Sequence, residues 1–489
     1  MKIDYHSLRV CEIVEIGGRR QAAIIDGKGN DGQIGDVVRY IPLSDLNEKD
    51  DQAVLDMINA VCWQLPSRID PFRDENEQKI EYEFTDQLYA RFTKIAQRIY
   101  RLLGQSMYFK DDRYEAVCIN FIFNSYFKDT FHYSPRIILS GTTVSGKTRL
   151  QNILAALCYR GFATIKPTFA SMFRLIDRYS VTPIIDEAQR LKGERRDDLE
   201  DIFLSGDQKN RPIVRTNMNT LKTESFNIYG PMVISKKAGG YTPEDMENRA
   251  FTLKMIENRS KKLVANLDYE ELTAIRNDLY SLYALYRIRP EAFKLADLFA
   301  ESVRHLTDGD EDGRRICDFV RTDNMRTNLT GRSLDIATTY YTLSRLTTTE
   351  EDILSLLTDE QAYSSERLKD TNEAGIFHSL MICCQEHAKN NSLLRYPDMI
   401  LRVPTRDITE LFNRDQEESG NQRNSMERIT GHRVTRTLKD MGFETGKGNH
   451  GLSYIKWAKD LDNVLDINLD KFGSEEDRDI LEKIRRRKV

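Results

Sequence analysis

The 489-residue chain contains no apolar run approaching the ~18 residues that a membrane-crossing helix needs, so hydropathy offers no helical span. Its opening residues, MKIDYHSLRVCEIVEIGG, lack the charged, apolar and small-residue layout of a secretory signal. Cysteine is sparse: the seven residues are odd in number, scattered, and never spaced as CxxC. That argues against a disulfide framework and a zinc site, and makes a reducing cytoplasm the expected setting. Adjacent Cys383 and Cys384, in SLMICCQEH, read as packing residues. An excess of one charge is also missing, with 72 Lys and Arg against 77 Asp and Glu, a net charge of −5. Any contact with DNA must therefore come from local patches. Internal repeats and low-complexity tracts are absent too.

What remains is ordinary for a globular protein, with 40% hydrophobic and 30% charged residues, and long enough for roughly three or four domains. The first fifty residues carry short β-like runs (RVCEIVEI, RQAAIID, DVVRYIPL) between Gly, Asn and Asp. The texture then turns helical, with i, i+3, i+4 apolar spacing in TDQLYARFTKIAQRIYRLLG and RYEAVCINFIFNSYF. Further on, the short apolar runs RIIL, PII, PMVIS and AFTLKM alternate with helical stretches, which argues for a parallel sheet and an α/β fold.

One loop of this region carries a specific pattern. GTTVSGKT, Gly141 to Thr148, fits G-x-x-x-x-G-K-[ST] between an apolar strand and an amphipathic helix. Gly141 and Gly146 permit a tight turn, so that the backbone N–H groups from Thr142, Thr143, Val144 and Ser145 onward face phosphates. Lys147 can reach the β- and γ-phosphates of ATP, and the Thr148 hydroxyl can ligate Mg²⁺. PIIDEA supplies the acid expected on a neighbouring strand: Asp186 for the magnesium's water shell, then Glu187 to orient or deprotonate the attacking water. Ser235 ends the strand MVIS, either as a γ-phosphate sensor or as an ordinary strand-end polar residue. Arg249, before AFTLKM, has the position from which a ring ATPase reaches its neighbour's site, with a salt-bridged surface arginine as the alternative. Arg332, opening GRSLDIATTYYTL, could touch the same phosphate from a helical lid.

In this order the motifs resemble those of AAA+ ATPases, and more narrowly the MCM-like helicase-type ATPases of archaea and mobile genetic elements. The resemblance rests on ALCYRG, SMFRLID, PIIDEAQ, IYGPMVIS and MENRAF, and covers roughly Ser134 to Lys456. Ser235 departs from the asparagine usual at the sensor position, and no zinc-binding or primase motif precedes the P-loop. The resemblance implies a three-layer parallel-sheet core with a helical lid, a C-terminal winged helix and a separate N-terminal α+β region. The expected divisions are 1–105 (N-terminal domain), 106–256 (ATPase core), 257–345 (lid), 346–371 (linker), 372–458 (winged helix) and 459–489 (basic tail).

RPIVRTNMNTLKTESFNIYG, Arg211 to Gly230, stands where that group carries a hairpin projecting into a ring's pore, with strands expected over Arg211 to Asn217 and Thr223 to Tyr229. Arg215, Asn217, Asn219 and Lys222 would then grip DNA phosphates near its tip. In the C-terminal region, VPTRDITELFN reads as a capped helix, and TGHRVTRTLKDMGFETGKGNHGLSYIKW as helix, strand, turn, strand. His432, Arg433, Arg436 and Lys439 lie off its apolar face, and Lys447, Asn449 and His450 would sit at a wing tip. The implied function is an ATP- and Mg²⁺-dependent DNA translocase or helicase, a homo-oligomer and by resemblance a hexamer, in the replication of a chromosome or mobile element. Single-stranded DNA would lie in the pore and duplex against the winged helix. The alternatives are a protein remodeller, for which Phe169 and Phe173 could form an aromatic pore loop, and an ATP-switched DNA-binding regulator.

Overall fold

The computed structural model describes residues 9–26, 37–42, 57, 60–72, 85–165, 168–188, 193–216, 222–238, 243–258, 263–307, 332–369, 372–390, 395–401, 403–418, 429–447, 453–456 and 460–486. The chain forms two units, Met1–Thr358 and Asp359–Val489.

The first unit opens with an antiparallel meander of β1 (Arg9–Ile16), β2 (Arg19–Asp26) and β3 (Val37–Pro42). Gly17 and Gly18 join β1 to β2, both at positive φ, as a two-residue hairpin turn requires. Two helices follow, α1 (Thr85–Ser106) and α2 (Tyr114–Phe127). Helix α2 is buried all round, so its polar residues bond internally. Asn120 donates to Ala116 O and Thr349 Oγ1, and Asn124 donates to Ser134 Oγ.

Strand β4 (Arg136–Gly141) leads to α3 (Lys147–Leu157), β5 (Gly161–Thr164), α4 (Phe169–Tyr179), β6 (Thr182–Ile185) and α5 (Glu194–Ser205). A two-stranded hairpin of β7 (Ile213–Thr216) and β8 (Thr223–Phe226) precedes β9 (Val233–Lys237), α6 (Glu244–Glu247) and β10 (Ala250–Met255). Five strands form one parallel sheet in the order β10-β4-β9-β6-β5. Alternation divides its side chains between two faces. Ile137, Leu139, Val233 and Leu253 join the larger core; Ile138, Ile185 and Ile234 join a second core with Met172, Ile202 and Phe203 of α4 and α5.

Helices α7 (Tyr269–Ile288), α8 (Pro290–Phe293), α9 (Leu295–Thr307) and α10 (Arg332–Thr347) complete the larger core with α1, α2 and the meander. The expected separate domain over 1–105 is corrected here. Val14, Ala23 and Ile25 share that core, and a buried ion pair, Arg160 to Glu12 at 2.7 Å, ties β1 to the end of α3. The expected linker 346–371 is helical, α11 (Glu350–Lys369), with Ile353, Leu356 and Leu357 buried.

The second unit contains α12 (Asn372–Asn390), α13 (Asp398–Leu401), α14 (Thr405–Glu418) and α15 (Gly431–Asp440). After them come a hairpin of β11 (Thr445–Lys447) and β12 (Ser453–Ile455), then α16 (Leu461–Phe472) and α17 (Glu475–Arg485). Cys383 and Cys384 are buried in its core, in keeping with a packing role. The expected basic tail over 459–489 is corrected as well. Leu461, Leu465, Ile480, Leu481 and Ile484 pack into that same core.

Candidate nucleotide site

Ligands of open parallel sheets bind beyond the carboxyl ends of the strands. At that edge β4 ends on Gly141, and the chain turns through the left-handed residues Val144 and Gly146 into α3. Gly141 has no room for a side chain, since a Cβ there would collide with the Met255 carbonyl oxygen and lie 2.7 Å from Ser145 Oγ. Ser145 Oγ donates to Thr142 O at 2.8 Å and closes the loop on itself. Lys147 arches back over it, with Nζ 2.7 Å from Gly141 O, 2.6 Å from Thr142 O and 3.2 Å from Ser145 Oγ. Burial lowers the Lys147 pKa; Asp186 opposes the shift and Lys237 adds to it.

Asp186 follows β6, but that strand does not adjoin β4 as the sequence reading expected, because β9 lies between them. The interposed strand brings Ser235 beside the acid. The Ser235 hydroxyl donates to Asp186 Oδ1, and Glu187 N donates both to Asp186 Oδ1 at 2.8 Å and to Ser235 Oγ at 3.2 Å. Ser235 is buried, and its hydroxyl ties the Asp186 carboxylate to the Glu187 backbone. Glu187 has φ +52°, a backbone conformation sparsely used outside glycine and enriched where function needs a particular geometry.

Thr143, Val144, Ser145, Gly146, Lys147, Thr148, Asp186, Glu187 and Ser235 line one cleft of ≈ 490 Å³, together with Arg149, Lys236 and Lys237. The donor set fits a magnesium nucleotide. Such a cation is commonly held by one or two protein oxygens with phosphate oxygens and water completing its shell, which Thr148 and Asp186 can supply. Among the described residues there is no group of three His, Cys, Asp or Glu suited to holding a metal without such a ligand. Lys236 and Lys237 were missed in the sequence, although the dipeptide directly after VIS was the available signal.

Of the two expected arginines, only Arg249 has a described side chain. Arg249 precedes β10 at the opposite end of the sheet, where Nη1 donates to Leu204 O and, at 2.9 Å, to Asp207 Oδ2. Arg249 is therefore salt-bridged, as the second reading had it, but the pair is buried and does not lie at the surface. Arg332 opens α10, and its side chain lies outside the described residues. Thr339 Oγ1 donates to Tyr133 O at 3.0 Å, and Tyr340 packs on Phe251, so α10 runs past the edge where β4 and β10 begin.

The hairpin forms: β7 begins at Ile213, two residues later than expected, and β8 begins at Thr223 as expected but ends at Phe226. Arg215, the penultimate residue of β7, is exposed near the tip but engaged within the chain. It pairs with Asp198 of α5 at 2.8 Å and lies over the Phe173 ring, which stacks on Phe226. Lys222 is exposed beside the tip, while Asn217 and Asn219 lie outside the described residues. Buried Phe173 serves the core, and the Phe169 side chain is likewise outside the described set.

In the second unit, α14 and α15 flank a groove of ≈ 570 Å³ lined by residues including Thr405, Arg406, His432, Arg436 and Lys439. Val434 and Leu438 bury one face of α15, leaving His432, Arg433, Arg436 and Lys439 exposed on the rest. Thr430 caps the helix, accepting from Arg433 N at 3.3 Å. Lys447 ends β11, exposed; Asn449 and His450 fall outside the described residues. Among the described residues no helix is long and apolar enough to cross a membrane.

The chain matches no protein-family model and no curated protein. Among solved structures it is similar to the SCCmec type IV Cch active helicase, at 14% identity and a TM-score of 0.32 over 94% of each chain. The C-terminal region of NrS-1 aligns at 11% identity and TM-score 0.31, over 92% of this chain and 96% of that one. A DNA polymerase III gamma-subunit-related protein of Thermotoga maritima aligns at 12% and 0.19, over 75% of this chain and all of that one. Likeness at this level carries no argument about activity, which rests on the geometry above.

Proposed function

We propose that the chain is an ATP-hydrolysing AAA+ DNA translocase or helicase that works as a ring, by resemblance a hexamer, in the replication of a chromosome or mobile element. The observation that carries the reading is the single cleft joining the P-loop, Thr148, Asp186 and Glu187, with Ser235 holding the Asp186 carboxylate and the Glu187 backbone. Bound there, ATP with Mg²⁺ would supply a phosphoanhydride polarised for attack by water. Gly146, the loop amides and the α3 dipole would hold phosphate, and Lys147 would leave the loop carbonyls for phosphate oxygens. Thr148 and Asp186 would hold the cation, and Glu187 would take the water's proton.

DNA as the partner is supported by the exposed cations of α15, followed by the β11–β12 hairpin, an arrangement suited to a winged helix. Exposed Arg215, although paired with Asp198, and exposed Lys222 are the described cations beside the β7–β8 tip that support a pore contact. The protein-remodeller reading loses Phe173 to the core. The deciding experiment is ATP-dependent strand displacement on a forked duplex, with Lys147→Ala as control. Displacement that requires ATP and vanishes in the variant is expected. ATP turnover without displacement, indifferent to DNA, would rule out the translocase reading.

A further inference from the structure

Strand β9 ends in two lysines that the fold treats differently. Lys236 is buried, with Nζ 3.1 Å from Glu247 Oε1. Lys237 is exposed and forms no ion pair with a described residue. Side chains alternate along a strand, so Lys237 projects on the side of Ser235, whose hydroxyl meets Asp186, and extends beyond it at the carboxyl edge. Lys237 lies opposite Gly141 in the β4–β9 register, and Ala238 N donates to Gly141 O at 3.1 Å, the same oxygen that accepts from Lys147.

Lys147 and Lys237 thus bring ammonium groups to one cleft from different elements. Lys147 comes from the P-loop, and Lys237 from the strand interposed between that loop and the two acids. They are close enough for Lys237 to contribute to the lowering of the Lys147 pKa, behind burial and against Asp186. Lysines, loop amides and a helix N-terminus facing one cleft are the complement of a polyphosphate, and Asp186 and Glu187 mark the side of the cleft where hydrolysis would occur. The outermost phosphate of a nucleotide held by the loop must lie on that side.

We infer that Lys237 binds an oxygen of the terminal phosphate of a nucleoside triphosphate and makes the cleft selective for triphosphate over diphosphate. The inference rests on the nucleotide reading of the cleft and assigns a residue which that reading does not use. Because Lys237 is solvent-exposed, replacing it leaves the core intact, and circular dichroism checks that directly.

The test is calorimetric titration of the full chain with the slowly hydrolysed γ-thio analogue of ATP and with ADP, both with Mg²⁺. Wild type, Lys237→Met and Lys237→Arg are compared. A charge-assisted contact to one phosphate predicts that Lys237→Met weakens the triphosphate about ten- to hundredfold, leaves ADP within about twofold, and is largely rescued by arginine. Equal weakening of both nucleotides would reduce Lys237 to a general attraction for anions and overturn the assignment. Unchanged triphosphate affinity would overturn it as well. A wild-type chain that binds neither nucleotide would instead remove the cleft reading itself, a result distinct from either of those.

Discussion

Replacing Arg249 by methionine separates two roles that one sequence motif could support. In the structure its guanidinium is buried against Asp207 and the Leu204 carbonyl, and Asp207 is itself only 5% exposed. Methionine keeps much of the volume but leaves a buried carboxylate without its partner, which typically costs about 3–5 kcal/mol. Buried Arg136, whose charge interacts with Asp207, would compensate in part, so the lower end, about 3 kcal/mol, is expected. With a urea slope near ~3 kcal/mol/M, that moves the unfolding midpoint down by about 1 M. A chain of two units does not unfold in one step, so the probe must report the first unit. Trp63 does so, being buried within 5.5 Å of the Arg160 guanidinium, and Trp457→Phe removes the other tryptophan. Asp207→Asn closes a double-mutant cycle, where a coupling above ~1 kcal/mol is expected for groups in direct contact. An unchanged midpoint in Arg249→Met, with ATP turnover nonetheless lost, would refute this reasoning and return Arg249 to a trans-acting role.

Two further predictions follow from hydrogen bonds at other places in the fold. Ser235→Ala should lower kcat about tenfold while nucleotide affinity stays within about threefold, because the hydroxyl orients Asp186 and the Glu187 backbone; steady-state kinetics beside titration separates the two, and Ser235→Thr should restore most of the rate. In the second unit, His378 Nδ1 lies 2.8 Å from Asp477 Oδ1, while the other Asp477 oxygen accepts from Ser474 at the start of α17. The hydrogen bond that His378 donates to Asp477 raises the His378 pKa above 6.5 against the effect of burial. The Asp477 pKa is lowered below 3.8, burial being outweighed by hydrogen bonds from His378 and Ser474. The pair therefore stabilises fully between about pH 3.8 and 6.5, and loses the histidine's share as pH rises through its raised pKa. Because His378 is 36% exposed, that share is about 0.5–1 kcal/mol. Hydrogen exchange of α17 amides, corrected for intrinsic rate, should lose protection from pH 6 to 8 in wild type and stay flat in His378→Asn.

Features readable in the sequence were those set by neighbours in the chain. RIILSG gives β4, GTTVSGKT gives the loop, and TPII followed by two acids gives β6 and its carboxylates. The two misread helical segments also carried a local signal. Ile353, Leu356 and Leu357 recur at helical spacing within a charged stretch, as do Leu461, Leu465 and Leu469 ahead of LEKIRRRKV; the charge obscured the period. By contrast, Glu12 meets Arg160 and Asp207 meets Arg249 across long intervals of sequence, and nothing near either residue announces its partner.

The arginines show why such distant partners decide function as well as fold. Arg249 precedes β10, and α10 passes the same edge, where β4 begins; the cleft lies where β4 ends. A six-residue strand separates those edges by about 20 Å. Within one chain, then, Arg249 cannot reach a phosphate held by Lys147. An arginine from this edge can serve such a site only in a neighbouring copy, and Arg249 would first have to leave Asp207, exposing a carboxylate now buried. The Arg249→Met experiment therefore also gauges the order of the cost that assembly would have to offset to use this arginine in trans.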